Sequence, residues 1–201
     1  MKQDSSIPDF WETRYRTAVT PWDAGGVPHR LGIFLATETS GKTVLIPGCG
    51  SGYEIAAFAA AGHQVTAIDF SEAAVTRARQ GLGALAERVI YGDFFTAELP
   101  IVGFDLVYER TFLCALPRRL WRAYARRTAL LIRPGGWLAG FFFFDANDKG
   151  PPFGLRSGEL EALLTPYFQR TTDEPIAPEE SISVLAGKER WQVWVRNTNE
   201  I

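Results

Sequence analysis

Val44-Leu45-Ile46-Pro47-Gly48-Cys49-Gly50-Ser51-Gly52 decides how this chain is read. The apolar run Thr43 to Ile46 stops at Pro47-Gly48, and a short run bounded by turn formers reads as a buried strand. The alternating glycines let the backbone turn sharply and come close to a ligand without Cβ clashes. Tyr53 to Ala61 is alanine-rich and reads as a helix, with Gly62 as its stop. Strand, glycine loop and helix follow one another in that order.

Outward from this unit the same alternation continues. Gln64 to Ile68 is a second strand ending at Asp69, and Ser71 caps a helix that runs to about Gln80. Val89 to Tyr91 and Phe104 to Tyr108 are strands three and four. Pro117 to Leu131 reads as one arginine-rich helix with proline in its first turn, broken by Arg133-Pro134-Gly135-Gly136. Trp137 to Phe144 is the fifth strand. Ser157 is expected to cap a helix to about Leu164, and Phe168 to Thr172 and Arg190 to Arg196 complete seven strands. The expected fold is α/β and Rossmann-like: a mainly parallel seven-stranded sheet, a C-terminal antiparallel hairpin and helices on both faces. Residues 1–201 form a single domain in this reading. Its residues 1–40, with Phe10-Trp11, Tyr15 and Trp22, form a helix and loop too small to bury a core alone.

Ligands of such sheets sit beyond the carboxyl ends of the strands, where strand order reverses. Asp69 lies about 20 residues after the glycine loop, a spacing that lets a carboxylate accept both hydroxyls of a ribose. A dinucleotide fingerprint is Gly-x-Gly-x-x-Gly, whereas here Gly-x-Gly-x-Gly is followed by Tyr53 and Glu54. An acidic residue at the helix start repels a pyrophosphate. S-adenosylmethionine has no phosphate and carries a positive sulfonium, so Glu54 favours the methyl donor over a nicotinamide dinucleotide. In Gly92-Asp93-Phe94-Phe95 the Asp can bind an adenine amino group and an aromatic can stack on the ring. Alternatively the segment is a helix cap followed by two core phenylalanines.

The chain resembles the thiopurine S-methyltransferase family, which includes plant-type thiol, halide and thiocyanate methyltransferases. The resemblance rests on Phe10-Trp11-x-x-Arg14-Tyr15, Thr20-Pro21-Trp22-Asp23, Pro47-Gly48-Cys49-Gly50-x-Gly52, Asp69-x-Ser71, Gly92-Asp93-Phe94-Phe95 and Tyr108-Glu109-Arg110-Thr111-Phe112-Leu113-Cys114-Ala115-Leu116-Pro117. It implies S-adenosylmethionine as cofactor, S-adenosylhomocysteine as product, and a small-molecule acceptor. The cofactor-binding set it implies is Trp11, Tyr15, Trp22, Gly48, Cys49, Gly50, Gly52, Asp69, Phe70, Asp93, Phe94 and Arg110. The three N-terminal aromatics would fold over the methionine half, where a ring face attracts a sulfonium and excludes water; stapling of the first helix to the core is the other reading. Tyr15 stands where many relatives have tryptophan. Arg110, the candidate catalytic residue, would face the cofactor carboxylate or the substrate, hold an anionic nucleophile or lower a thiol pKa. A salt bridge to Glu109 or to the cofactor is its alternative.

Methyl transfer from a sulfonium is an in-line displacement that needs alignment and a dry site more than a base. This agrees with the lack of an obvious catalytic histidine or carboxylate pair. The expected reaction is methylation of a thiol or sulfur anion. The competing readings are an O- or N-methyltransferase of a natural-product intermediate and a non-catalytic cofactor-binding module. With a net charge of −2 the chain lacks the basic excess of a phosphate-backbone binder, and Arg118, Arg119, Arg122, Arg126 and Arg127 read as a solvated helix face. Two cysteines and two histidines without ligand spacing argue against a metal site and a disulfide framework, and Cys49 and Cys114 read as inert packing rather than nucleophiles. No run reaches the roughly 20 apolar residues that span a bilayer. The expectation is a soluble cytoplasmic protein, monomeric or weakly dimeric, binding neither nucleic acid nor membrane.

Overall fold

The computed structural model describes residues 4–101 and 103–198, so the ends of the expected 1–201 domain lie outside the described residues. At its centre β1 (Thr43–Pro47) pairs in parallel with β2 (Gln64–Asp69) on one side and β4 (Phe104–Arg110) on the other. With β3 (Val89–Tyr91), β5 (Ile132–Phe143), β6 (Phe168–Pro175) and β7 (Glu189–Arg196) the sheet has seven strands in the order β3-β2-β1-β4-β5-β7-β6. β7 runs antiparallel to both β5 and β6. This is the expected architecture, C-terminal hairpin included, and strand order reverses between β1 and β4.

Alternation along the strands splits the core into two layers. Val44, Ile46, Val65, Ala67, Leu106, Tyr108, Phe141 and Trp191 face α2 (His29–Thr37), α3 (Tyr53–Ala60) and α4 (Glu72–Leu82). Leu45, Val107, Leu138, Phe142 and Trp194 face α6 (Trp121–Leu131) and α7 (Glu159–Leu164). The period of two thus sends Tyr108 and Arg110 to one face of β4 and Glu109 to the other. The Ser71 cap is present, its hydroxyl accepting the Ala74 amide at 3.1 Å.

Three element expectations change. The stretch from Pro117 to Leu131 is not one helix: Arg118–Leu120 is a 3-10 turn, and α6 starts at Trp121, whose indole donates to the Leu113 and Leu116 carbonyls. β5 starts at Ile132, so Arg133 to Gly136 lie within the strand at a register shift instead of in a break before it. Ser157 caps nothing. Gly158, in the left-handed region, precedes α7, and the Glu159 carboxylate accepts the Arg156 amide. Of the arginines read as a solvated face, Arg118 pairs with Glu159, Arg119 with Asp4, and Arg127 donates to the Phe94 and Ala97 carbonyls. These three tie the chain together, whereas Arg122 and Arg126 are exposed, as a solvated face has them.

Candidate active site

A cavity of about 690 Å³ opens beyond the carboxyl ends of β1, β2 and β4. The residues that describe it include Trp11, Tyr15, Trp22, Gly48, Cys49, Gly50, Asp69, Phe70, Asp93, Phe94 and Arg110. Of the expected cofactor set only Gly52 is not among them. Gly52 lies behind the loop, its Cα side against Ala78 of α4, and heads α3 in the left-handed region.

The floor is the glycine loop. Gly48 and Gly50 have φ of +60° and +52°, which L side chains adopt at a cost. A Cβ on Gly50 would stand 2.5 Å from the Tyr15 hydroxyl, and one on Gly48 would run into the Phe112 ring. Space over the loop is therefore shared between backbone, aromatics and cavity, with none left for a side chain. Asp69 ends β2 buried, accepting the Gly50 amide at 3.0 Å on one carboxylate oxygen and the Ser71 amide at 2.9 Å on the other. Burial pushes its carboxyl pKa up. The carboxylate keeps acceptor capacity beyond these amides for a ligand hydroxyl.

The roof is α1 (Pro8–Arg16) and the loop after it. Trp11 and Trp22 meet edge-to-face at 5.1 Å, and Tyr15 meets Trp22 at 5.9 Å. The three rings line the cavity and at the same time pack the helix onto the loop after it. The docking is also polar: Glu12 accepts the Ser71 hydroxyl at 2.8 Å and the Ala73 amide at 2.9 Å at the start of α4. An acceptor there suits the free amides and the positive end of the helix. Asp23 likewise accepts the Ser51 hydroxyl at 2.5 Å and pairs with Arg77. Phe94 touches the cavity but is 4% exposed, packed against Phe95, Phe112 and Tyr124. Asp93 is exposed at the rim and bonds the Phe95 amide.

The far wall follows β4. Arg110 does not pair with Glu109; it reaches Glu189 of β7 at 3.2 Å and lies over the Phe141 ring at 4.0 Å. Glu189 also accepts from the Ser181 hydroxyl and the Ile182 amide, which fastens the β6–β7 connection to this wall. Glu109 points to the opposite face. It accepts the Phe112 and Leu113 amides and the Tyr124 hydroxyl at 2.7 to 2.9 Å, capping the short helix α5 (Phe112–Ala115). Between β4 and α5 Thr111 is held at φ +59°, a strained value for a non-glycine residue beside the cavity. Burial raises both cysteine thiols, Cys49 and Cys114, away from the reactive thiolate range.

Burial raises the Glu109 carboxyl from 4.5 to about 7, against its three hydrogen-bond donors. Between those values the folded protein holds a proton that the unfolded chain releases. Stability is therefore highest below pH 4.5 as far as this group is concerned, and falls as pH rises to 7, by about 3 kcal/mol at most. Urea unfolding between pH 5 and 7.5 should show that slope flattened in Glu109→Gln. Parallel profiles for the two proteins would remove Glu109 as its source.

A family model described as thiopurine S-methyltransferase matches residues 6–197. The chain belongs to that family. The family is one of S-adenosylmethionine-dependent methyltransferases. A probable thiol methyltransferase 2 of Arabidopsis thaliana is 33% identical over 163 residues, 78% of this chain and 71% of the relative. A thiopurine S-methyltransferase of Vibrio cholerae is 30% identical over 218 aligned positions, 96% of this chain and 99% of its own. Among solved structures, the 1,6-didemethyltoxoflavin-N1-methyltransferase of Burkholderia thailandensis, with S-adenosylhomocysteine bound, superposes with a TM-score of 0.75 at 20% identity, over 96% of this chain and 87% of that one. That likeness concerns the fold alone.

Within this thiopurine S-methyltransferase-family chain, sequence reasoning missed Glu12, Glu189 and the capping role of Glu109. The first two act across 59 to 79 positions of sequence, where no local spacing signals them. Glu109 carried a local signal: a carboxylate three and four residues before the free amides of Phe112 and Leu113 fits a helix cap. Among the described residues no three potential ligands cluster for a metal, and no helix is long and apolar enough to cross a membrane.

Proposed function

We propose that this chain transfers a methyl group from S-adenosylmethionine to the sulfur of a small organic thiol. One observation carries the choice of acceptor. The acceptor end of the cavity is apolar, formed by Pro151, Pro152, Ile182, Val184 and Leu185, and the arginine beside it is already compensated by a buried carboxylate.

The cavity suits the donor chemically. Among the described lining residues the carboxylates Asp23, Glu54, Asp69 and Asp93 outnumber the arginines Arg14 and Arg110, so the cavity favours a cationic ligand. Asp69 would hold the ribose, Asp93 the adenine edge, and Gly48 and Gly50 would admit the ligand to the backbone. Trp11, Tyr15 and Trp22 would cover the sulfonium with ring faces and keep water out. The bound donor supplies an activated methyl group on a good leaving group. Arg110 keeps donors free beyond its bond to Glu189, enough to hold a carboxylate of the ligand. No histidine is among the residues lining the cavity, and sulfur needs little base: a thiol near its pKa supplies thiolate from solution.

The reading is tested by incubating the protein with methyl-labelled donor and a panel of aliphatic and aromatic thiols, thiopurines, hydrosulfide, thiocyanate and iodide, plus phenols and amines. Organic thiols should exceed thiocyanate and iodide in kcat/KM by roughly tenfold or more, the equivalent of about 1.4 kcal/mol of acceptor recognition. O- or N-methylation without S-methylation would overturn the reading, and so would donor binding without turnover on any nucleophile.

A further inference from the structure

One carboxylate lining the cavity lacks a protein partner. Glu54 is the second residue of α3 and only 8% exposed. Among the described residues no side chain bonds it; its own amide is its one hydrogen-bond donor. Buried carboxylates are ordinarily paired or multiply hydrogen-bonded, because an isolated charge out of water is costly. A second orphan stands close by. The Tyr108 hydroxyl, on the strand face that α3 covers, is buried without a partner, and Glu54 is the foremost charge acting on it.

Charge balance shows what is missing. Arg110 is the cation that acts on Glu54, but it is bonded to Glu189. Two buried carboxylates therefore share one guanidinium, and the cluster is one positive charge short. The positive end of α3 supplies part of it, and an acidic residue in a first turn is often there for that alone. A helix end, however, does not account for a carboxylate facing a cavity beside an unsatisfied hydroxyl. The end of the cavity that joins the glycine loop to Arg110 thus presents one unpaired carboxylate next to one guanidinium with donors to spare. This is the pattern that receives an amino acid zwitterion.

We propose that Glu54 is the counter-ion of the α-ammonium group of the methyl donor, with Arg110 alongside for its α-carboxylate. This rests on the methyl-donor reading above. It also gives a direct reason for an acidic residue at this helix start. Binding sets an ammonium against Glu54 and a carboxylate against the spare donors of Arg110. The net charge of the cluster is unchanged, but Glu54 gains an opposite partner, and the burial that pushes its carboxyl up is then offset by an ion pair.

The test compares two ligands by calorimetry. S-adenosylhomocysteine carries the α-ammonium and is not consumed; 5′-methylthioadenosine keeps the nucleoside and sulfur but lacks the amino acid half. Glu54→Gln should weaken S-adenosylhomocysteine roughly 10- to 100-fold, as expected for a lost hydrogen bond to a charged group, and 5′-methylthioadenosine by less than about threefold. Glu54→Asp keeps a negative charge at the helix end with a shorter reach, and should fall between wild type and Glu54→Gln. Unchanged S-adenosylhomocysteine affinity, or equal weakening of both ligands, would overturn the assignment. A loss of thermal stability in Glu54→Gln that Glu54→Asp repairs, with unaltered affinity ratios, would return Glu54 to the helix end alone. If wild type binds neither ligand, the methyl-donor reading falls and takes this one with it.

Discussion

Arg110→Ala is expected to cost about 3 to 5 kcal/mol of folding stability, and Arg110→Ala combined with Glu189→Gln to recover most of that loss without recovering methyl transfer. The reason lies in the burial of the pair. The Glu189 side chain is 1% exposed and the Arg110 side chain 11%. Without the guanidinium, Glu189 keeps only the Ser181 hydroxyl and the Ile182 amide, neutral donors for a full buried charge. Removing one partner of a buried pair is worse than removing both, because the remaining charge stays desolvated. Glutamine at 189 relieves that charge and still accepts from Ser181 and Ile182. It does not replace what Arg110 offers to the cavity, so activity stays lost. Urea unfolding of the wild type, both single variants and the double variant gives the coupling directly, and methyl transfer from labelled donor gives the activity. A double variant as unstable as Arg110→Ala would mean the pair does not hold this wall. A double variant with restored turnover would mean Arg110 serves Glu189 and not the ligand.

The same pair shows where the sequence stops being legible. The alternation of strand and helix, the Ser71 cap and the final hairpin follow from local periods and turn formers, and these are the elements found in the structure. The glycine loop and Asp69 are a strand apart, and their meeting follows from parallel pairing of β1 with β2. Glu189 and Arg110 are 79 positions apart on strands that are not neighbours, with β5 between them. Only the strand order β4-β5-β7 brings them to one face; the period of two puts Glu189 on the inward face of Trp191, but nothing local marks the cation it meets there. The aromatic N-terminal segment stands out in the sequence but its fastening does not, because Glu12 acts on the Ser71 hydroxyl and the Ala73 amide at the start of a helix far along the chain. Phe94 illustrates the reverse. Its position after β3 is the expected one, yet α6 packs Tyr124 against it and makes it as much core as cavity. Ser157 failed for a plainer reason: a serine before an apolar run resembles a cap, but Gly158 enters the helix with a positive φ, which takes the preceding side chain away from the first turn.

Gly140→Ala should be the most damaging single methyl group that can be added to this protein, lowering stability by roughly 4 kcal/mol or more. Gly140 is buried within β5, paired with Glu109 of β4 on one side and Gln192 of β7 on the other. Its φ is +155°, and a Cβ there would overlap the backbone oxygen, carbon and nitrogen of Glu109. A side chain in the way can rotate; the main chain of a central strand can move only by opening the ladder on both sides. The damage also reaches the site, because Glu109 caps α5 and the next residue along β4 is Arg110. Gly81→Ala is the matched control. Gly81 lies in α4, has no positive φ and meets nothing within 4 Å, so alanine there should stabilise by about 0.5 to 1 kcal/mol through helix propensity and a less flexible unfolded chain. Thermal unfolding and soluble yield of the two variants decide the matter. If Gly140→Ala melts within a few degrees of wild type, β4 and β5 are not packed as tightly at the edge of the active site as the structure has them.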